Sequence, residues 1–133
     1  MQFIDLHRQY YVIEAKVNKR IQAILKHKHF IGGEDIAELE KRLAEYVGVK
    51  HVLACASGTD ALTIPMMAYG LKKTDAVFVP SFTFFASGES VSLAGGTPVF
   101  VDSCRETFNI DPKALEETIV KTLDEGKLEP KGI

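Results

Sequence analysis

The run AVFVPSFTFFASGESVSLAGGTPVFV, residues 76–101, decides the fold. Residues 76–79 (AVFV) form a short apolar run of the kind a strand shows when both its faces are covered. Pro80 and Ser81 end it, because proline has no N–H to give to a ladder. The spacing then predicts a helix over 84–93, a turn at Gly95-Gly96 and a second buried strand over 98–101 (PVFV). Strand, helix and strand at these lengths make a βαβ unit, whose strands run parallel. Upstream, residues 52–56 (VLACA) read as another buried strand, punctuated by Ser57-Gly58 and followed by a helix over 59–69. Downstream, Asp111 is placed to N-cap a helix over 114–123, with Pro112 at its first position and Gly126 at its end. Residues 130–133 fall where the next strand of the rhythm begins. A sheet of three strands at 52–56, 76–79 and 98–101 would leave its last edge bare, so the chain reads as part of a larger domain.

Ahead of this region the period is helical. Leu6, Tyr10, Ile13, Val17, Ile21 and Ile24 recur at three- and four-residue spacing, as do Ile36, Leu39, Leu43 and Val47, with Gly32-Gly33 between the two stretches and Gly48 after the second. The organisation expected is a helical segment over 1–50 and an incomplete α/β domain over 51–133.

The 133 residues are 46% hydrophobic and 26% charged, enough apolar material for a real core. Sixteen basic against eighteen acidic side chains leave a net charge of −2. Such a balance offers nucleic acid or an acidic membrane no one-sided field. No apolar run reaches the ~18 residues of a membrane span. The opening MQFIDLHRQYYVIEAK carries Asp5 and has no apolar leader core. Cys55 and Cys104 form no CxxC pair, so two reduced thiols and a cytoplasmic protein are expected. His27-x-His29 has too few partners for a metal site, and none is expected.

Two strand-to-helix junctions could carry chemistry. At Cys55-Ala56-Ser57-Gly58-Thr59-Asp60-Ala61-Leu62 the first N–H groups of a helix are left unpaired, the helix dipole adds positive charge, and glycine allows close approach. That combination suits a phosphate. Ser57 with Asp60 three residues on is equally a capping box that merely starts a helix. Neither the dinucleotide fingerprint nor the P-loop is present. At Pro80-Ser81-Phe82-Thr83-Phe84-Phe85, where parallel sheets place ligands, the phenylalanines could stack on a flat ring. For Phe82 or Phe85 alone, core packing is the better reading. Asp102, ending a strand, could face a ligand or cap the strand.

Taken in order, the motifs resemble the N-terminal part of the DegT/DnrJ/EryC1/StrS family of sugar-nucleotide aminotransferases that use pyridoxal phosphate. The resemblance runs through Ile4-Asp5-Leu6, Gln9-Tyr10, Phe30-Ile31-Gly32-Gly33-Glu34, Leu39-Glu40 and residues 46–51 (YVGVKH). It continues through Ser57-Gly58-Thr59-Asp60-Ala61-Leu62, Pro80-Ser81-Phe82-Thr83-Phe84, residues 97–102 (TPVFVD), residues 107–112 (TFNIDP) and residues 130–133 (PKGI). It implies an α/β fold: the N-terminal part of the large domain of a fold-type I pyridoxal-phosphate enzyme, a mainly parallel sheet flanked by helices, with 51–133 as cofactor-binding domain. It implies that Ser57, Gly58, Thr59 and Asp60 hold the cofactor phosphate, that Phe84 stacks on the pyridine ring, and that Gly32 and Gly33 lie near the substrate. The wording most resembles members that aminate position 3 of a UDP-linked 3-keto-hexuronic acid, and this implies glutamate as donor and a place in surface-polysaccharide or amino-sugar biosynthesis. A homodimer is implied too. Lys73-Thr74-Asp75-Ala76-Val77 departs from the family's usual Gly-Asp-Glu-Val, and Pro65 falls inside a predicted helix. The lysine that anchors the cofactor and the acid that pairs with its ring nitrogen have no match here, so no catalytic residue is expected in this chain and no turnover by it alone. Two alternatives stay open: a sugar dehydratase of the same family, in which histidine replaces that lysine, and a non-catalytic fragment.

Overall fold

The computed structural model describes residues 3–133; Met1 and Gln2, which open the stretch read for a leader, lie outside the described residues. The chain divides into two compact units, Met1–Ala54 and Cys55–Ile133.

The first unit holds α1 (Leu6–His27) and α2 (Glu34–Val47). Asp5 caps α1 by accepting from the Arg8 N–H at 3.1 Å, and the basic Lys26 and His27 occupy its last turn, where the dipole favours them. Lys28 ends the helix in the left-handed conformation. Gly32, at φ +62°, turns the chain. Gly48 ends α2 at φ +78°. The two helices are clasped by charge. Arg20 donates to Asp35 at 2.8 Å and also to Glu38, which accepts from Arg42 as well. The bond from Arg20, helped by its charge and that of Arg42, holds the Glu38 carboxyl below its usual range. No residue of either helix is buried, so the apolar stripes that make them amphipathic remain largely open.

The second unit is built on a parallel sheet of β1 (Asp75–Pro80), β2 (Thr97–Val101) and β3 (Glu129–Gly132), in the order β2-β1-β3. Its helices are α3 (Gly58–Ala68), α4 (Ala86–Leu93) and α5 (Pro112–Glu125). Alternation along β1 sends neighbouring side chains to opposite faces. Ala76 and Phe78 join Val101 against Ala114, Leu115 and Ile119 of α5. Val77 and Val79 join Val91 of α4, with Met66 of α3 packed against them. Both faces of β1 are therefore covered, which is why its sequence is apolar without alternation. Asp111 caps α5, accepting from the Lys113 N–H at 2.8 Å.

Two expectations need correction. Residues 52–56 do not form a strand. A strand needs a partner backbone, and the sheet order β2-β1-β3 gives residues 52–56 none. The Ala54 N–H is instead bonded to the Glu40 carboxylate at 2.9 Å, and Leu53 is 74% exposed. The third strand is β3, at the place where the rhythm predicted the next one. The helix expected over 84–93 starts two residues later, because residues 81–85 form a loop. Pro65 is accommodated inside α3, which continues to Ala68.

Candidate functional site

The helix α3 begins as its local chemistry dictates. Ser57 is extended (φ −154°, ψ 166°), and its hydroxyl accepts from the Asp60 N–H at 3.1 Å while donating to Asp60 Oδ2 at 3.1 Å. The Ser57 carbonyl accepts from the Ala61 N–H at 3.1 Å. This is half of a capping box, since Asp60 takes the Ser57 hydroxyl rather than the Ser57 N–H; with the first helical bond to the Ser57 carbonyl it consumes only the third and fourth N–H groups of the turn. The N–H groups of Gly58 and Thr59 have no acceptor among the described residues. A Cβ built on Gly58 would meet nothing within 4 Å, so the space beside this residue is open. Capping and anion binding are thus compatible at this turn, and the 11-residue helix behind it adds its dipole.

Phe84 lies in the loop over 81–85, between the end of β1 and α4. The loop is tied down on both sides. The Ser81 N–H extends the ladder to the Val101 carbonyl at 2.8 Å, and the Ser87 N–H reaches the Phe84 carbonyl at 3.0 Å. Thr83 and Ser87 share a hydroxyl–hydroxyl bond of 2.9 Å. The Phe84 ring is 79% exposed and borders a cleft that Phe85, Pro98 and Phe100 also line. Behind the loop, the Phe100 ring sits over Gly88, where a Cβ would come within 2.8 Å of its Cζ. The helix that follows, α4, packs on α3. Phe82 and Phe85 are both exposed, which corrects the expectation of core packing: the loop carries their rings outside the β1 core.

Ser57, Gly58, Thr59 and Asp60 therefore stand together at one turn, and Phe84 stands on the loop into the helix beside it. Gly32 and Gly33 belong to the first unit. There Gly32 supplies a left-handed turn and the Gly33 carbonyl accepts from the Ile36 N–H at 3.1 Å to start α2. Asp102 caps its own strand: Oδ1 accepts from the Ser103 N–H at 2.9 Å and its carbonyl from the Asp111 N–H at 2.9 Å. Among the described residues no group of three or more potential metal ligands occurs.

Sequence reasoning missed Phe108. It sits at φ +60°, a conformation that costs a non-glycine residue about 1–2 kcal/mol, and its ring lies 5.5 Å from that of Phe82 at a 40° tilt. Nothing in the sequence announced it, since a left-handed position in this stretch would have been assigned to Asn109 next door.

Comparison with known proteins gives a consistent result. The model of the DegT/DnrJ/EryC1/StrS aminotransferase family matches residues 12–124. A UDP-2-acetamido-2-deoxy-3-oxo-D-glucuronate aminotransferase of Pseudomonas aeruginosa is 45% identical over 119 residues, 90% of this chain and 33% of that protein. A solved DegT DnrJ EryC1 StrS aminotransferase from Brucella abortus is 50% identical with a TM-score of 0.94, covering all of this chain (100%) and 36% of that one. NtdA of Bacillus subtilis, solved with bound cofactor PMP, is 28% identical with a TM-score of 0.72, over 87% of this chain and 32% of that one. The chain spans about a third of the length of the curated relatives it matches.

Proposed function

Since the chain belongs to the DegT/DnrJ/EryC1/StrS aminotransferase family, we propose that it is the phosphate-gripping part of a pyridoxal-phosphate-dependent enzyme that transfers an amino group to a keto-sugar nucleotide. One observation carries this: at the start of α3 the N–H groups of Gly58 and Thr59 have no acceptor among the described residues, and the space beside Gly58 is open. The N–H groups of Gly58 and Thr59 would hold the phosphate, with the Thr59 hydroxyl as a third donor. Ser57 and Asp60 lock the turn around them. Phe84 offers a flat, water-exposed face to the pyridine ring. Bound there, pyridoxal phosphate would carry the amino group from donor to acceptor, and the residues of this chain position it. The likeness at 45% to a protein named for a UDP-linked 3-oxo-glucuronate supports a UDP-linked 3-keto-hexuronic acid as acceptor; glutamate as donor, Gly32 and Gly33 near the acceptor, and a role in surface-polysaccharide or amino-sugar synthesis are parts of the same proposal. The domain division at about residue 50, a homodimeric assembly and a cytoplasmic location belong to the same proposal. Among the described residues no helix is long and apolar enough to cross a membrane.

The test is spectroscopic. Pyridoxal phosphate added to the full-length protein should give an absorbance band at the edge of the visible range that borohydride abolishes. Glutamate and the keto-sugar nucleotide should then yield 2-oxoglutarate and an amino sugar. Absence of any cofactor band would overturn the proposal and leave Ser57-Gly58-Thr59 as a helix cap.

A further inference from the structure

The chain leaves β2 through a small hairpin. Ser103 pairs with Ile110 antiparallel. The Cys104 N–H donates to the Asn109 carbonyl at 2.8 Å, the Phe108 N–H to the Cys104 carbonyl at 2.8 Å, and the Asp111 N–H to the Asp102 carbonyl at 2.9 Å. Phe108 occupies the left-handed position of this hairpin, at φ +60°, where glycine or asparagine would fit without strain. Strained residues persist when their surroundings hold them there, and they gather at functional sites. Burial does not explain this one, because the Phe108 ring is 61% exposed. Its contact does. The ring lies 5.5 Å from Phe82, two residues before Phe84 in the loop over 81–85. That loop leaves β1, the neighbouring strand, and is stitched to β2 by the bond from Ser81 to Val101. Two loops at the carboxyl ends of adjacent strands are thus joined by one aromatic pair.

We propose that Phe108 and Phe82 form a brace that fixes the loop presenting Phe84, making Phe108 a positioning residue for the cofactor ring. This rests on the reading of Phe84 as the stacking aromatic. The hairpin sets the Phe108 ring, the ring sets Phe82, and Phe82 limits the freedom of the backbone that aims Phe84. The strained conformation is then maintained for the direction it gives the side chain.

The test uses the full-length protein titrated with pyridoxal phosphate, reading the dissociation constant, the induced circular dichroism of the bound cofactor, and the Tm without it. Phe108→Gly accepts the backbone angle and removes the ring. It should leave the Tm equal or higher, weaken binding about threefold to tenfold and diminish the induced dichroism. Phe108→Tyr should behave as the native protein. Phe82→Leu should weaken binding similarly, and the double variant should be no weaker than either single one, because both remove the same contact. Additive losses, or native binding and dichroism in Phe108→Gly while Phe84→Leu binds poorly, would overturn the brace and leave the stacking role standing. Native binding in Phe84→Leu would remove the stacking role itself, and the brace with it.

Discussion

At the turn that starts α3, the helix cap and the proposed phosphate site draw on different N–H groups, so a single substitution can separate them. Gly58→Pro is the sharpest. It removes one free N–H at the first helical position, where proline is well tolerated, and the extended Ser57 before it already has the backbone that a proline demands. The expected outcome is an unchanged or raised Tm with pyridoxal phosphate bound about ten- to a hundredfold more weakly, the worth of one good hydrogen bond to a charged group. Loss of stability with unchanged binding would show the turn to be structural. Residues 57–60 were legible in the sequence because a cap is a local affair, settled within four residues. Phe108 was not legible. The sign of its φ comes from how a hairpin closes across six residues, and the value of its ring from a loop more than twenty residues upstream.

Among the elements, β1 and α5 could be read directly, one from an apolar run covered on both faces and the other from Asp111-Pro112 at its start. Residues 52–56 have the same apolar signature as β1 and yet form no strand, since hydrophobicity records the wish for cover and says nothing about which backbone will lie alongside. The helix α4 was placed correctly apart from its first turn, which the loop carrying Phe84 takes over. Phe78, 2% exposed at the centre of β1, is the element's main support. Phe78→Ala should cost about 3–5 kcal/mol in a urea titration of the full-length protein. The clasp between α1 and α2 has a pH signature instead. Because the folded pKa of Glu38 is lowered from the usual 4.5, the stabilisation is fully present above that value and is lost as the pH falls through the depressed one. Glu38→Gln should therefore lower the Tm at pH 7, and the difference from the native protein should vanish well below pH 4.

For the molecule as a whole, the most informative quantity is surface. The chain exposes 11082 Å². Two independent compact units of these lengths would be expected to expose roughly 8,300 Å² together. Much of what is uncovered is apolar, including Tyr11, Val12, Ile31, Tyr46, Leu53 and Tyr69. Such surface seeks cover from other protein. The 133-residue chain prepared alone should bind a hydrophobic dye strongly and elute above its monomer size, whereas a longer form carrying the rest of the family's length should bind the dye weakly. A dye-silent monomer would show that these faces need no partner. The strand order β2-β1-β3 also has a consequence in time. The middle strand is made first, and its second neighbour, β3, emerges roughly fifty residues later. At ribosomal speeds of ~5–20 residues per second, one flank of the AVFV segment stays open for roughly three to ten seconds in every round of synthesis. Through that interval the AVFV segment lacks one of its two partners, and its open flank is a template that the edge of another copy can meet.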